Sequence, residues 1–320
     1  MIHGVINIYK EEGFTSHDVV AKLRGILRQK KIGHTGTLDP AAVGVLPVCL
    51  GKGTRLCDML TDKSKTYRAV MLLGMETDTQ DTTGTILAEK STEELTKEAV
   101  RAAAESFAGP YQQIPPMYSA LKVNGKKLCD LARQGKEVER QARPVEIHEL
   151  VVESVDLPRV TMTISCSKGT YIRTLCHDIG KKLGCGGCME QLTRTRVERF
   201  AIKDSLKLSE VEALAAEGKV LDAVVPVDEM FSQYPAFSSD GGELDKLLSN
   251  GNTFPHRLAK AQLEKQGITQ GNAASAAGKT VVPAVNWLRV YDSTGRFIGI
   301  YDYHPDGDVW KPKKIFLGGD

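Results

Sequence analysis

Between Val160 and Cys166 the chain alternates with period two. Val160, Met162, Ile164 and Cys166 are apolar, and Thr161, Thr163 and Ser165 between them are polar. Successive side chains of a strand point to opposite faces, so this segment predicts a half-buried strand. Lys168-Gly169-Thr170 breaks the pattern and the period changes. Ile172, Leu175, Ile179 and Leu183 recur at helical spacing up to Gly184, a helix stop. Tyr171 and Arg173 therefore sit at a strand-to-helix junction. An earlier helix is predicted after Thr15, which forms a capping-box pattern with Asp18 ahead of Val19, Val20, Leu23, Ile26 and Leu27. Another starts at Thr96, where Leu95 and Val100 make a hydrophobic staple, and Gly109-Pro110 closes it. Tyr67 to Leu73, bounded by Gly74, reads as a buried strand. Val281 to Tyr291 and Phe297 to Tyr303 flank Asp292-Ser-Thr-Gly-Arg296, a hairpin signal that predicts a small β-rich domain after about residue 230. Arg257 to Lys279, rich in Ala, Gly, Lys and Gln with little pattern, predicts a loop or insertion.

A length of 320 residues suggests about two domains. With 41% hydrophobic and 26% charged residues the composition excludes collagen, coiled coil and wholesale disorder. The longest apolar stretch, Ala41 to Leu50, is interrupted by Gly44 and Pro47 and falls short of the roughly 18 residues of a membrane helix, so none is expected. Met1-Ile2-His3-Gly4 lacks a basic n-region and an apolar h-region, so a cytoplasmic protein is expected. Seven cysteines, an odd number, fit reduced thiols. Cys185-Gly-Gly-Cys188 has metal-like spacing, but no nearby Cys or His pair supplies further ligands. Neither a metal nor any other cofactor is expected.

Net charge is only +2, so an anionic partner must meet local patches. The other face of the first helix is basic, with Lys22, Arg24, Arg28, Lys30 and Lys31 in and after it and Asp18 the one nearby acid, which reads either as a solvated face or as phosphate contact. From Lys122 to Arg143, seven basic residues (Lys122, Lys126, Lys127, Arg133, Lys136, Arg140, Arg143) face three acids, Asp130, Glu137 and Glu139. Few apolar residues lie there, so the segment is expected to project as an arm over about 122–147.

Residues 33–55 read Gly33-His-Thr-Gly-Thr-Leu-Asp39-Pro-Ala-Ala-Val-Gly-Val-Leu-Pro-Val-Cys-Leu-Gly-Lys-Gly-Thr-Arg55. A nucleotide phosphate loop is excluded, because Gly44 and Gly51-Lys52 stand at the wrong spacing and Gly53 replaces the Ser or Thr that would hold magnesium. Composition alone makes Asp39 and His34 turn residues and Tyr67 a core residue. Arg173 could pair with Asp178, and Tyr171 could pack against its helix.

Gly33-His-Thr-Gly-Thr-Leu-Asp-Pro40 followed by Gly44-Val-Leu-Pro-Val-Cys-Leu-Gly51 closely resembles the signature of the bacterial tRNA pseudouridine synthase B family. Lys63-Ser-Lys-Thr-Tyr67-Arg, Thr77-Asp-Thr-Gln-Asp81, Pro115-Pro-Met-Tyr-Ser-Ala-Leu-Lys122 and Cys166-Ser-Lys-Gly-Thr-Tyr171-Ile-Arg173-Thr-Leu resemble further family segments, so the likeness spans roughly residues 2–230. It implies that Asp39 is the nucleophile, that Tyr67 stacks on the target uracil, that Arg173 pairs with Asp39 and that His34 helps hold the flipped-out target arm. For Tyr171 and Asp81 it implies active-site support. The implied partner is tRNA, through its T-arm stem-loop, with no obligate protein partner. The implied architecture is mixed α/β (α+β), with a mainly antiparallel sheet catalytic domain over residues 1–230. That domain carries the inserted RNA arm with Lys122, Lys126, Lys127, Arg133 and Arg140. Leu247-Leu-Ser-Asn-Gly-Asn252 and Arg289 to Ile300 resemble the PUA RNA-binding module, implying a β-rich PUA-like domain over 231–320. The family's usual opening, Asp-Lys-Pro-x-Gly, is reduced here to Lys10 and Gly13 within Ile8-Tyr-Lys-Glu-Glu-Gly13.

Pseudouridine formation breaks the nitrogen-to-ribose bond, turns the uracil and rejoins it through carbon five. A carboxylate that attacks the anomeric carbon or removes the neighbouring ribose proton must be ionised, and a guanidinium beside it favours that form. The uridine must be flipped out of structured RNA, with unstacking offset by an aromatic face. Two other readings compete. An RNA-binding protein without catalysis would leave Asp39 idle, and a nucleoside hydrolase would need a second carboxylate and a water site, for which Asp81 is the nearby candidate.

Overall fold

The period-two segment lies near the middle of the main sheet. The computed structural model describes residues 1–123, 125–266 and 286–318. Within it Val160, Met162, Ile164 and Cys166 are fully buried while Thr161, Thr163 and Ser165 are not. In chain order the body runs β1 (Gly4–Lys10), α1 (Ser16–Ile26), β2 (Ile32–His34), β3 (Val43–Leu50), α2 (Cys57–Thr61) and β4 (Lys65–Leu73). The hairpin β5 (Met75–Thr77) and β6 (Ile86–Glu89), α3 (Lys97–Glu105) and β7 (Gly109–Gln113) follow. Then come the small hairpin β8 (Lys122–Val123) and β9 (Lys126–Lys127), α4 (Leu128–Ala132), β10 (Arg143–Asp156), β11 (Arg159–Cys166) and α5 (Ile172–Leu183). The body ends with β12 (Gly187–Val197), β13 (Phe200–Ala201), α6 (Leu208–Ala216) and β14 (Val224–Val225).

Ten strands make one sheet in the order β14-β1-β3-β12-β4-β11-β10-β7, with β2 beside β3 and β13 beside β12. Every pairing is antiparallel except the short parallel contact of β12 with β3, so the sheet is mixed and mainly antiparallel. Helices α3 and α5 pack on it around Met71, Val100, Leu175 and Ile179, and α1 packs on β1 and β3 through Val19, Val20 and Leu23. Thr15 caps α1 and exchanges hydrogen bonds with Asp18 as the sequence predicts, and Gly184, at φ 77°, ends α5. The two glycines between Cys185 and Cys188 serve packing. A Cβ on Gly180 of α5 would meet the Gly187 nitrogen at 2.2 Å, so helix and strand approach at backbone distance, and both cysteines are buried beside them.

Glycine and proline at the density of residues 33–55 favour irregular backbone, but Val43–Leu50 is a regular strand with Pro47 inside it. The register explains the tolerance. Pro47 pairs with Asn7 of β1 on one edge, while its carbonyl faces the other way and accepts from the Thr35 backbone. On that second edge β12 covers only Val43 and Gly44 and β2 only Val48 to Leu50, so the missing N–H of Pro47 falls in a gap between partners.

A second sheet follows, ordered β15-β17-β18-β19-β16, from β15 (Ala236–Ser238), β16 (Phe254–Pro255), β17 (Trp287–Tyr291), β18 (Phe297–His304) and β19 (Val309–Ile315). It is accompanied by α7 (Glu243–Ser249) and α8 (Arg257–Lys265). The predicted hairpin is β17–β18. Its stretch 281–285 and the second half of the 257–279 segment lie outside the described residues. The first half of that segment is the helix α8 rather than a loop, with Ala259 and Leu263 buried. This region meets the body through one apolar cluster in which Ile300 and Phe316 join Val5, Cys49 and Leu56.

The basic segment differs from its expectation in two ways. Arg143 already begins β10, with Val145 and Ile147 buried in the core, so residues 143–147 belong to the sheet. Leu128 and Leu131 of α4 are also buried, and the Leu128 and Cys129 amides bond the carbonyls of Leu121 and Ser119. Lys122, Lys126 and Lys127 are exposed. Arg140 is not, because its guanidinium is tied to the Pro115 carbonyl and to Glu137.

Candidate active site

After β2 the chain leaves the sheet at Thr35 and rejoins it at Val43, and this excursion is pinned from several sides. The Thr35 amide and hydroxyl both donate to Pro47. The buried Ser16 hydroxyl, at the start of α1, accepts from the Leu38 amide at 3.0 Å. The Pro40 carbonyl accepts from the Gly13 amide at 3.0 Å and from Lys10 Nζ at 3.1 Å. Leu38 and Ala42 are buried in the main core, so the loop is anchored through its apolar residues. Asp39 between them has a side chain 44% exposed.

Arg173, in the first turn of α5 and 6% exposed, reaches Asp39. Its Nη2 lies 3.1 Å from Asp39 Oδ2, and its Nη1 lies 3.5 Å from Asp81 Oδ2. The same guanidinium donates to the carbonyls of Thr79 at 2.9 Å and Tyr118 at 2.8 Å. Asp81 is held in turn, its Oδ1 accepting from the Thr79 hydroxyl and from the amide and hydroxyl of Thr83. Arg173 does not pair with Asp178, whose carboxylate accepts from the Tyr111 hydroxyl.

A cavity of about 1140 Å³ opens over this array, lined among others by Leu38, Asp39, Tyr67, Asp81, Tyr171 and Arg173. That volume holds a nucleotide. Tyr67 both lines the cavity and belongs to the core, at 7% exposed. Burial pushes its phenol up, with Arg194 beside it opposing the rise. Tyr171 is fixed through its backbone, which exchanges two hydrogen bonds with the buried Gln113 side chain. His34 lies outside the cavity lining and packs edge-on against His17, ring centroids 5.1 Å apart. Burial, then His17 and Arg194, lower its pKa and favour the neutral ring. Arg133 and Cys129 of the basic segment reach the cavity wall.

Three further cations are buried around the loop: Lys10, Lys65 and Arg194 are 0%, 8% and 1% exposed. Lys10 Nζ donates to the Glu11 and Pro40 carbonyls, and Lys65 Nζ to those of Thr61 and Lys63. Burial pushes each ammonium down to about 8 from 10.5, with Arg194 adding to the depression, while Asp39 partly offsets it at Lys10. Between those values the unfolded chain binds the proton and the folded chain does not, so these two sites make stability rise with pH above about 8. Lys10→Met is expected to remove its share. In urea unfolding, wild type gains about 1 kcal/mol over the variant from pH 7.5 to 9.5. An unchanged difference between the two proteins would place the Lys10 ammonium in water.

Comparison with known proteins adds to this geometry. Residues 24–172 match the family model described as TruB family pseudouridylate synthase (N terminal domain). Residues 173–232 match that of the tRNA pseudouridylate synthase B C-terminal domain. A protein of Lachnoclostridium phytofermentans named tRNA pseudouridine synthase B is 47% identical, covering 99% of this chain and 100% of its own. One of Geobacter sulfurreducens with the same name is 50% identical over 69% of this chain and 73% of its own. A chain of the crystal structure of a Cbf5-Nop10-Gar1 complex shares the fold, with a TM-score of 0.67 at 23% identity, over 98% of this chain and 85% of that one.

Proposed function

The chain belongs to the TruB family of pseudouridylate synthases, and from that membership we propose that it isomerises one uridine in the T-arm loop of tRNA, in the cytoplasm, with Asp39 as the reacting carboxylate. The observation that carries this reading is the array in which Arg173 joins Asp39 and Asp81 on the wall of a cavity that Tyr67 also lines. In it the flipped uracil stacks on Tyr67 and Asp39 acts at the ribose. The N1–C1′ bond breaks and the base turns. The C5–C1′ bond then forms as C5 loses its proton and N1 gains one. The sum is redox-neutral and needs neither water nor a second substrate.

Two features favour isomerisation over the alternatives. A hydrolase needs a second carboxylate free to work on water, whereas both Asp81 oxygens are engaged, one by Thr79 and Thr83 and the other by Arg173. A protein that only bound RNA would have no use for a partly exposed carboxylate held against a buried arginine. The test is tritium release from tRNA carrying [5-³H]uridine. One equivalent per tRNA is expected, and none when the T-loop uridine is replaced by cytidine. Failure to release tritium from unmodified tRNA would overturn the reading.

Lys122, Lys126 and Lys127 supply exposed charge for the RNA backbone beside the cavity. Replacing all three with Gln is expected to flatten the dependence of log affinity on log salt by about 2, since each phosphate contact contributes roughly 0.7 to 0.9. The single-turnover rate at saturating RNA should stay at the wild-type value. An unchanged slope in a salt titration would put the segment away from RNA.

A further inference from the structure

We propose that Arg194 is a positioning residue for this reaction, the group that holds the Asp39 loop and Tyr67 in a fixed relation to each other. The inference rests on the functional reading above and goes beyond it, because Arg194 is a member of neither the motif nor the Arg173 array.

Strand β12 lies between β3 and β4, and Arg194 is the residue at which all three meet. Its backbone is in register with Gly44 on one side and with Tyr67 on the other. The approach to Gly44 is so close that a Cβ there would meet the Arg194 carbonyl at 2.2 Å, and Gly44 has φ 106°, open to glycine alone without strain. The side chain then reaches both ends of the loop that carries Asp39. Nε donates to the Val45 carbonyl at 2.7 Å, and Nη2 approaches the Gly36 carbonyl at 3.5 Å. Nη1 lies 3.8 Å from the point where a Cβ of Gly36 would stand, with Lys65 Cε just beyond at 3.9 Å. One guanidinium thus spans residues 36 to 45 and borders the cavity beside Tyr67.

Stability alone does not account for this arrangement. Among the described residues no carboxylate pairs with Arg194, although it is 1% exposed and has two other buried cations for neighbours. Desolvating a charge that no carboxylate pairs costs several kcal/mol, which its two carbonyl contacts offset only in part. What an apolar side chain does not supply is two donors in a rigid fork directed at two carbonyls, and lysine lacks that fork as well. Reacting groups misplaced by about 1 Å lose on the order of 100-fold in rate. A residue that sets the distance from Asp39 to the base stacked on Tyr67 therefore acts on the chemical step rather than on RNA affinity.

Arg194→Met and Arg194→Lys in the full chain, assayed with the tritiated tRNA, test the role. For Arg194→Met the single-turnover rate at saturating tRNA is expected to fall on the order of 100-fold. The tRNA dissociation constant should stay within about twofold of wild type, and any fall in the thermal midpoint, from the Val45 and Gly36 carbonyls left without their donor, should leave the variant folded at the assay temperature. Arg194→Lys keeps the charge without the fork and should recover only part of the rate. Wild-type rates in both variants, or rate losses that merely follow losses of affinity or of folded protein, would overturn the role. If Arg194→Met does not fold, Arg194→Lys decides: a tenfold or larger rate loss at wild-type affinity and midpoint supports the proposal, and a wild-type rate overturns it. A wild-type enzyme that releases no tritium would overturn the functional reading and this role together, whereas active variants beside an active wild type would remove the role alone.

Discussion

Asp39→Asn is expected to abolish isomerisation, with a single-turnover rate at least roughly 10⁴-fold below wild type, while tRNA binding and folding stay nearly unchanged. Losses of that order follow when one member of a covalent catalytic group is removed. The amide keeps the size of the carboxylate and lacks only its charge and nucleophilicity. Folding is spared because the loop is held elsewhere, by Ser16, Lys10, Gly13 and Pro47, and because Leu38 and Ala42 anchor it in the core. The ion pair with Arg173 contributes modestly, under about 1 kcal/mol, since the Asp39 side chain is 44% exposed. Rates, tRNA affinity and a urea unfolding curve on the same preparation check each part. Normal turnover by the pure variant would remove Asp39 from the chemistry.

Arg173→Met is expected to have the second large effect, on rate and stability together. The arginine is 6% exposed and satisfies two carbonyls, Thr79 and Tyr118, besides facing two carboxylates. Its loss orphans those carbonyls and leaves Asp81, itself largely buried, without its cation. Removing one partner of a buried ion pair costs about 3 kcal/mol or more. Turnover should fall by more than the loss of folded protein explains, because Asp39 also loses the charge that holds it. Arg173→Lys should restore more of the stability than of the rate, since one ammonium does not reproduce four contacts. Equal recovery of both would make Arg173 a structural residue only.

Much of the fold was legible because local pattern and tertiary demand agree. Val160 to Cys166 alternates because one face of β11 packs under α3 and α5 and the other does not. Thr15, Asp18 and Gly184 mark helix ends by local hydrogen bonding and backbone conformation, which operate within a few residues. Where the reading missed, a distant neighbour decided. Pro47 lies in a regular strand because β2 and β12 leave a gap opposite it, and no local pattern records that gap. Leu128 and Leu131 are too few to announce a packed helix in a basic segment, yet both are buried.

The candidate site divides in the same way. The 33–40 motif marked the turn on which Asp39 sits, but its meeting with Arg173 joins positions far apart in the chain and followed from family likeness, not from spacing. Arg194 had a faint signal, sharing strand parity with Leu192. Arg196, two residues on, is exposed all the same, because a register shift between Arg194 and Arg196 turns the strand. Lys10 and Lys65 look like surface lysines in sequence, and only the sheet around them shows the burial that lowers their pKa.

The central claim is that Asp39 drives isomerisation of one T-loop uridine. Its most direct test is to incubate unmodified tRNA with wild type or Asp39→Asn at enzyme excess and map pseudouridine along the RNA. The account predicts one new pseudouridine, in the T-arm loop, with wild type and none with the variant. Pseudouridine elsewhere in the tRNA, or the same modification made by Asp39→Asn, would contradict it.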